Sequence, residues 1–140
     1  VIASLAYIGL ELNQNTQALQ QASYQSANDY LLQMDLAQAT DEDLNRLMMT
    51  AETSPSDATP EEWERFTKMA YSRYGLWEFV FLADQEGAIN SSQLSAFEPY
   101  FTETACEPGY IRFWREHEIG FSPIFRQYVQ SKVLPNCLKE

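Results

Sequence analysis

Leu5, Ile8, Leu12, Leu19, Ala22, Ser26, Tyr30 and Met34 recur at steps of three, four or seven residues. That spacing keeps them on one face and predicts a single helix from the N-terminus to about Ala39. At 1.5 Å per residue such a helix is about 60 Å long. That exceeds what one domain of 140 residues needs, so one end should project beyond it. The projecting end should be the apolar one, "VIASLAYIGL", which runs directly into the Asn- and Gln-rich "ELNQNTQALQQASYQSAN".

The remaining sequence predicts five shorter helices. Thr40 caps the second, with Asp41, Glu42 and Asp43 in its first turn, where carboxylates favour the positive end of the helix dipole. "TSPSDATP" follows as a surface loop. In "TPEEW", Thr59 is the N-cap, Pro60 takes the first helical position and Glu62 completes a capping box. The stripe of this third helix is Trp63, Phe66, Ala70, Tyr74, Trp77 and Phe81, widened by Val80 and Leu82. A stripe that broad belongs to the central helix of a bundle.

Gly87 stops the third helix, and Asn90 or Ser91 caps a fourth over 91–105, bent or interrupted near Pro99. A fifth runs from Pro108 to Gly120. A sixth opens on Ser122 and Pro123 and runs to about Leu134. The very short link between the last two makes them an antiparallel hairpin. Asn-Gly and Asp-Gly turns are absent, and no stretch alternates at period two. The fold class is all-α, a bundle of about five to six helices with a long N-terminal helix.

Charge narrows the partners. A net charge of −11 leaves too few basic groups to neutralise a run of phosphates, which excludes nucleic acid. It equally excludes a basic face lying on anionic lipid headgroups. The hydrophobic fraction of 45% makes the chain globular rather than disordered.

Cys106 precedes the fifth helix and Cys137 follows the sixth, so an antiparallel hairpin brings both to its open end. The expected arrangement is one disulfide clamping the C-terminus; two free thiols are the alternative. A disulfide places the domain outside the cytoplasm. The lack of any Lys or Arg before Arg46 points the same way if the opening residues end a membrane span. Ten residues make only about 15 Å of helix, half of a hydrocarbon core about 30 Å thick. The expectation is that residues 1–12 are the end of a spanning or membrane-proximal helix, with Val1, Ile2, Leu5 and Ile8 in contact with lipid. Residues 13–140 then form the bundle domain. Plain core packing of residues 1–10 is the alternative.

Motifs that carry chemistry are scarce. There is no Gly-rich phosphate loop, HExxH or CxxC, and a single histidine cannot supply a multi-His metal site. No metal or cofactor is expected. His117, between Glu116 and Glu118, reads either as a general base or as a surface side chain favoured by the negative end of its helix. Glu78 lies in apolar "YGLWEFVFLAD". A carboxylate buried there needs a partner, and Arg112, Arg115 and Arg126 are on helices that should pack nearby. A buried ion pair, an acid in a ligand pocket and simple surface exposure are the three readings. The aromatic residues read as core rather than a ligand cage.

Three segments carry a resemblance: "VIASLAYIGLELNQNTQAL", "RYGLWEFVFLADQEGAI" and "FWREHEIGFSPIFRQYV". Together they resemble a family of small bacterial proteins with one N-terminal transmembrane helix, a compact helical domain and no assigned activity. The matching features are the polar Gln/Asn-Thr stretch after the span, Glu78 and Gly87 on the third helix, and the Phe-Ser-Pro-x-Phe turn. The chain departs from that pattern in its few basic residues and in Cys106 and Cys137. The resemblance implies a span ahead of Val1 and a helical bundle, and no reaction. The functional expectation is a non-enzymatic accessory or interaction subunit, anchored to a membrane with its domain on the periplasmic or extracellular side. Its partners would be lipid and other membrane-protein subunits. A ligand-sensing domain with a pocket near Glu78 is the alternative, and an enzyme is the least supported reading.

Overall fold

The computed structural model describes residues 1–137. Six α-helices form the chain: α1 (Ile2–Thr40), α2 (Glu42–Thr53), α3 (Pro60–Gln85), α4 (Ser91–Ala105), α5 (Pro108–His117) and α6 (Pro123–Tyr128). No strand occurs among the described residues.

The helix boundaries follow local chemistry. The Thr59 side chain accepts from Glu62 N while Glu62 accepts from Thr59 N, the reciprocal pair expected at the start of α3. Asn90 and Gln93 form the same box at the start of α4. Among the described residues Gly87 alone adopts a left-handed backbone, with φ of 72°, and reverses the chain after α3. One junction differs from expectation. Asp41, not Thr40, caps α2 by accepting from Leu44 N, because the Thr40 hydroxyl is turned back onto Leu36 O in the last turn of α1. α4 also runs through Pro99 without interruption. Pro99 is exposed, so the carbonyl it leaves unbonded can face water.

α3 is the central helix and packs against each of the other five. Phe66, Ala70, Tyr74, Trp77, Val80 and Phe81 are buried as their spacing predicts, whereas Trp63 and Leu82 lie at the margin. Trp77 stacks on Phe101 of α4 and meets Phe125 of α6 edge-on. Tyr74 stacks on Trp114 of α5. Trp77, Phe113, Trp114, Phe121 and Phe125 are therefore core, packed ring against ring between helices, with Trp63 at its margin. α5 crosses α2 at close range. A Cβ on Gly109 would lie 2.0 Å from Ala51 O, so only glycine permits that approach.

The hairpin of α5 and α6 is formed with a single 3₁₀ turn, Glu118–Gly120, at its tip. Beyond Tyr128 the helix widens into a π turn (Val129–Val133) and tightens into a 3₁₀ turn (Leu134–Asn136). This ending brings Cys137 to Cys106, and the two form a disulfide with a Cα–Cα distance of 5.0 Å.

The stripe on α1 does not pack as its spacing alone suggests. Of its members only Met34 is buried. The helix instead turns Tyr24, Ala27, Leu31 and Met34 to the bundle, a face rotated about 100° from Leu5, Leu12 and Leu19.

Closing a loop of 31 residues restricts the unfolded chain. Reduction, or Cys137→Ser, should lower the unfolding free energy by roughly 3–4 kcal/mol, read as a shift in urea midpoint with and without dithiothreitol.

Candidate functional site

The exposed half of α1 is the first feature that folding alone does not explain. Residues 1–19 are all exposed, and their large apolar side chains range from Val1 at 99% to Ile8 at 50%. The helix first meets the bundle at Gln20, whose side-chain amide donates to Gly87 O at 3.0 Å. Ahead of that residue lie some 28 Å of helix with no partner among the described residues, carrying Leu5, Ile8, Leu12 and Leu19 on one side. No helix is long and apolar enough to cross a membrane. Below Gln20, α1 and α3 frame an open groove of about 490 Å³. Tyr30, Tyr71 and Phe79 form its walls, Ala27 and Gly75 its floor, and no charged side chain lines it.

The second feature is buried. Arg73 of α3 is 7% exposed and is the one charged residue in the core among the described residues. Its Nη1 donates to the Tyr110 hydroxyl at 2.9 Å and to Glu52 Oε1 at 3.3 Å. Its Nη2 donates to Gln38 Oε1 at 2.7 Å and lies 3.8 Å from Asp35 Oδ1. Tyr110 also donates to Glu52, and Tyr100 to Asp35. One guanidinium thus gathers α1, α2 and α5 around α3, and reaches α4 through Tyr100. Burial pushes the Glu52 carboxyl above its ordinary value, against the pull of Arg73 and Tyr110. Burial likewise lifts the Tyr100 phenol to about 12 and the Tyr110 phenol further still. Burial works against the charge on Arg73, but the surrounding phenols and carboxylates outweigh it, so the guanidinium stays charged.

Glu78 is not in the ion pair expected for it. It is half-buried, and its Oε1 accepts from Ser122 N at 2.6 Å. Ser122 is the N-cap of α6 and makes no side-chain cap bond. Glu78 therefore closes the N-terminus of α6 from a neighbouring helix, a carboxylate placed at the positive end of a dipole.

The three arginines go elsewhere. Arg112 binds Glu116 at 2.8 Å, donates to Pro55 O and lies 3.9 Å over the Trp63 ring. Arg115 is exposed. Arg126 is half-buried, with its Nε unpartnered. Sequence context misled here because apolar neighbours in the chain do not define a helical face. Position 78 lies just off the stripe that buries Trp77 and Phe81. Arg73 was the overlooked residue, and it carried a signal: Phe66, Ala70, Arg73, Trp77 and Val80 share core spacing.

His117 Nε2 lies 3.9 Å from Glu116 and its ring packs on Tyr71 and Phe113. No hydroxyl or thiol hydrogen-bonds to it among the described residues. No group of three or more metal-binding side chains occurs there either. Trp77 and Trp114 are buried in the core, and neither they nor Glu78 line the groove between α1 and α3. Comparison with protein-family models, curated proteins and solved structures finds no match to this chain.

Two predictions follow from the arginine. Arg73→Ala leaves Glu52 buried without a cation and should cost about 3–5 kcal/mol in urea unfolding. Arg73→Met keeps most of the packing but should remain below wild type. The second concerns pH. Glu52 titrates above its ordinary 4.5 in the folded protein. It binds more protons folded than unfolded, so its contribution to stability is complete below pH 4.5 and is lost as pH rises through the raised value. Glu52→Gln should remove that fall from the curve of unfolding free energy against pH.

Proposed function

We propose that the protein is a non-enzymatic interaction subunit held at a membrane, with the bundle on the extracytoplasmic side. The observation that carries this reading is the exposed apolar half of α1. A helix bearing Val1, Ile2, Leu5 and Ile8 half or more exposed to water is a poor end state, since fully burying such a side chain is worth about 1.5–3 kcal/mol. These residues end where Glu11 and Asn13 begin, the order expected where a helix leaves a bilayer. Residues 1–10 then form the outer part of a span, and the Asn- and Gln-rich turns stand in the headgroup region and the water beyond.

The side of the membrane is argued from two independent features. The disulfide between Cys106 and Cys137 belongs to an oxidising compartment. The absence of Lys and Arg before Arg46 suits the non-cytoplasmic flank of a span. An accessory role is supported by the filled aromatic core and by polar clusters whose members bind one another across helices. The resemblance to small membrane-anchored bacterial proteins supports the same reading.

Flotation with zwitterionic phosphatidylcholine vesicles tests the anchor, because an acidic chain gains nothing there from charge. The chain should rise with the vesicles, and Leu5→Asp with Ile8→Asp should leave it at the bottom of the gradient. A chain that stays down without substitution overturns the membrane reading.

A further inference from the structure

We propose that α1 pairs in parallel with α1 of a second copy of this chain, along Leu5, Ile8, Leu12, Asn15, Leu19 and Ala22. These positions alternate by three and four residues through three heptads, and Ser26 continues them. That is the spacing of a coiled-coil seam rather than of a helix that only covers a bundle. All of them are exposed. They lie about 100° round the helix from Tyr24, Ala27, Leu31 and Met34, which the bundle already occupies. One helix thus carries two separate stripes, and only one is covered.

Charge identifies the occupant. The chain carries −11, yet residues 1–28 contain one ionised side chain, Glu11. The positions that flank the seam are Gly9, Thr16 and Ser23 on one side and Glu11, Ala18 and Gln25 on the other, uncharged apart from Glu11. A basic partner would find no acidic row there to read, and an acidic one no basic row. The partner that fits is a helix with an apolar seam, small neutral flanks and almost no charge, which is this surface itself. It is also the face on which two such acidic molecules meet with least repulsion.

Asn15 sets the register. It is the one carboxamide in the seam, and only in the parallel, unshifted pair does it face its own copy. There each carboxamide can donate to the other, whereas any slip leaves a polar group against leucine. Ala22 and Ser26 are small, so the helices draw together just where the bundle begins. The parallel sense agrees with the membrane reading and rests on it, since two chains leaving one bilayer run the same way. The pairing itself does not depend on the anchor.

Cysteine cross-linking of the full chain tests this, because Cys106 and Cys137 are bonded to each other. Leu12→Cys at about 100 μM, oxidised with copper phenanthroline, should run as a covalent dimer. Leu10→Cys, half a turn away on the same exposed helix, should stay monomeric. Sedimentation should give twice 16.1 kDa for wild type, and the monomer for Leu12→Asp with Leu19→Asp. Those substitutions lie outside the bundle, so its near-ultraviolet circular dichroism should not change. A monomeric wild type, a higher oligomer, or equal cross-linking at positions 10 and 12 overturns the proposal. A cross-link formed only in mixtures of Leu12→Cys and Leu19→Cys chains overturns the parallel sense. Loss of vesicle flotation with the dimer intact removes the anchor alone, and loss of the dimer with flotation intact removes the pairing alone.

Discussion

A single buried guanidinium holds the bundle in register. Arg73 reaches Gln38 and Asp35 on α1, Glu52 on α2 and Tyr110 on α5, and the Asp35 it approaches also accepts from Tyr100 of α4. Aromatic packing is tolerant: rings can slide over one another at small cost, and a core made mainly of Phe, Tyr and Trp does not by itself choose one arrangement. A planar fork with five donors is far less tolerant. It fits only where acceptors from several helices converge, so it selects one packing from among those the rings allow. The desolvation of Glu52 is the energetic cost of that selection. Burial outweighs both its cation and its hydrogen bond from Tyr110 in setting the pKa.

Local chemistry was legible in the sequence, and chemistry between helices was not. Thr59 with Glu62, the glycine at 87 and the proline at 123 each act within a few residues, so their roles follow from spacing alone. Cys106 and Cys137 lie 31 residues apart but were legible as a pair, because a hairpin of two short helices leaves its ends little choice of place. Glu78 shows the limit. Its apolar neighbours announce a polar group needing a partner, but the partner is a backbone amide at the start of α6, and a backbone amide leaves no mark in a sequence. Arg73 did leave a mark, by standing at core spacing between Ala70 and Trp77. Its partners did not, since they come from four other helices.

The two ends of α1 answer to different requirements. From Gln20 onward the helix is fixed by the bundle: Tyr24 packs on Phe97, Ala27 and Met34 are buried, and Asp35 and Gln38 reach the arginine. Before Gln20 every residue is exposed, yet the apolar residues keep helical order for five further turns. Chance does not favour that order over a solvated polar arm. A solvated arm gains nothing from aligning Leu5, Ile8, Leu12 and Leu19, and it exposes apolar area by carrying them at all.

The transition between the two ends makes the case for partners in sequence along one rod. A bilayer would take the first three turns, where no polar residue interrupts the apolar run beyond Ser4. It could not take the next two, because Asn13, Gln14, Asn15 and Gln17 would enter hydrocarbon without partners. A second helix can take those turns, since it needs only the narrow seam and leaves the amides in water. The groove between α1 and α3 begins where the seam ends, at Ser26 and Tyr30. In the proposed arrangement a rod with lipid at one end, a helix beside it and a bundle at the other would couple the three, and the covalent clamp at Cys106 lies at none of those contacts. The disulfide therefore serves the bundle alone, and the arm is free to serve its neighbours.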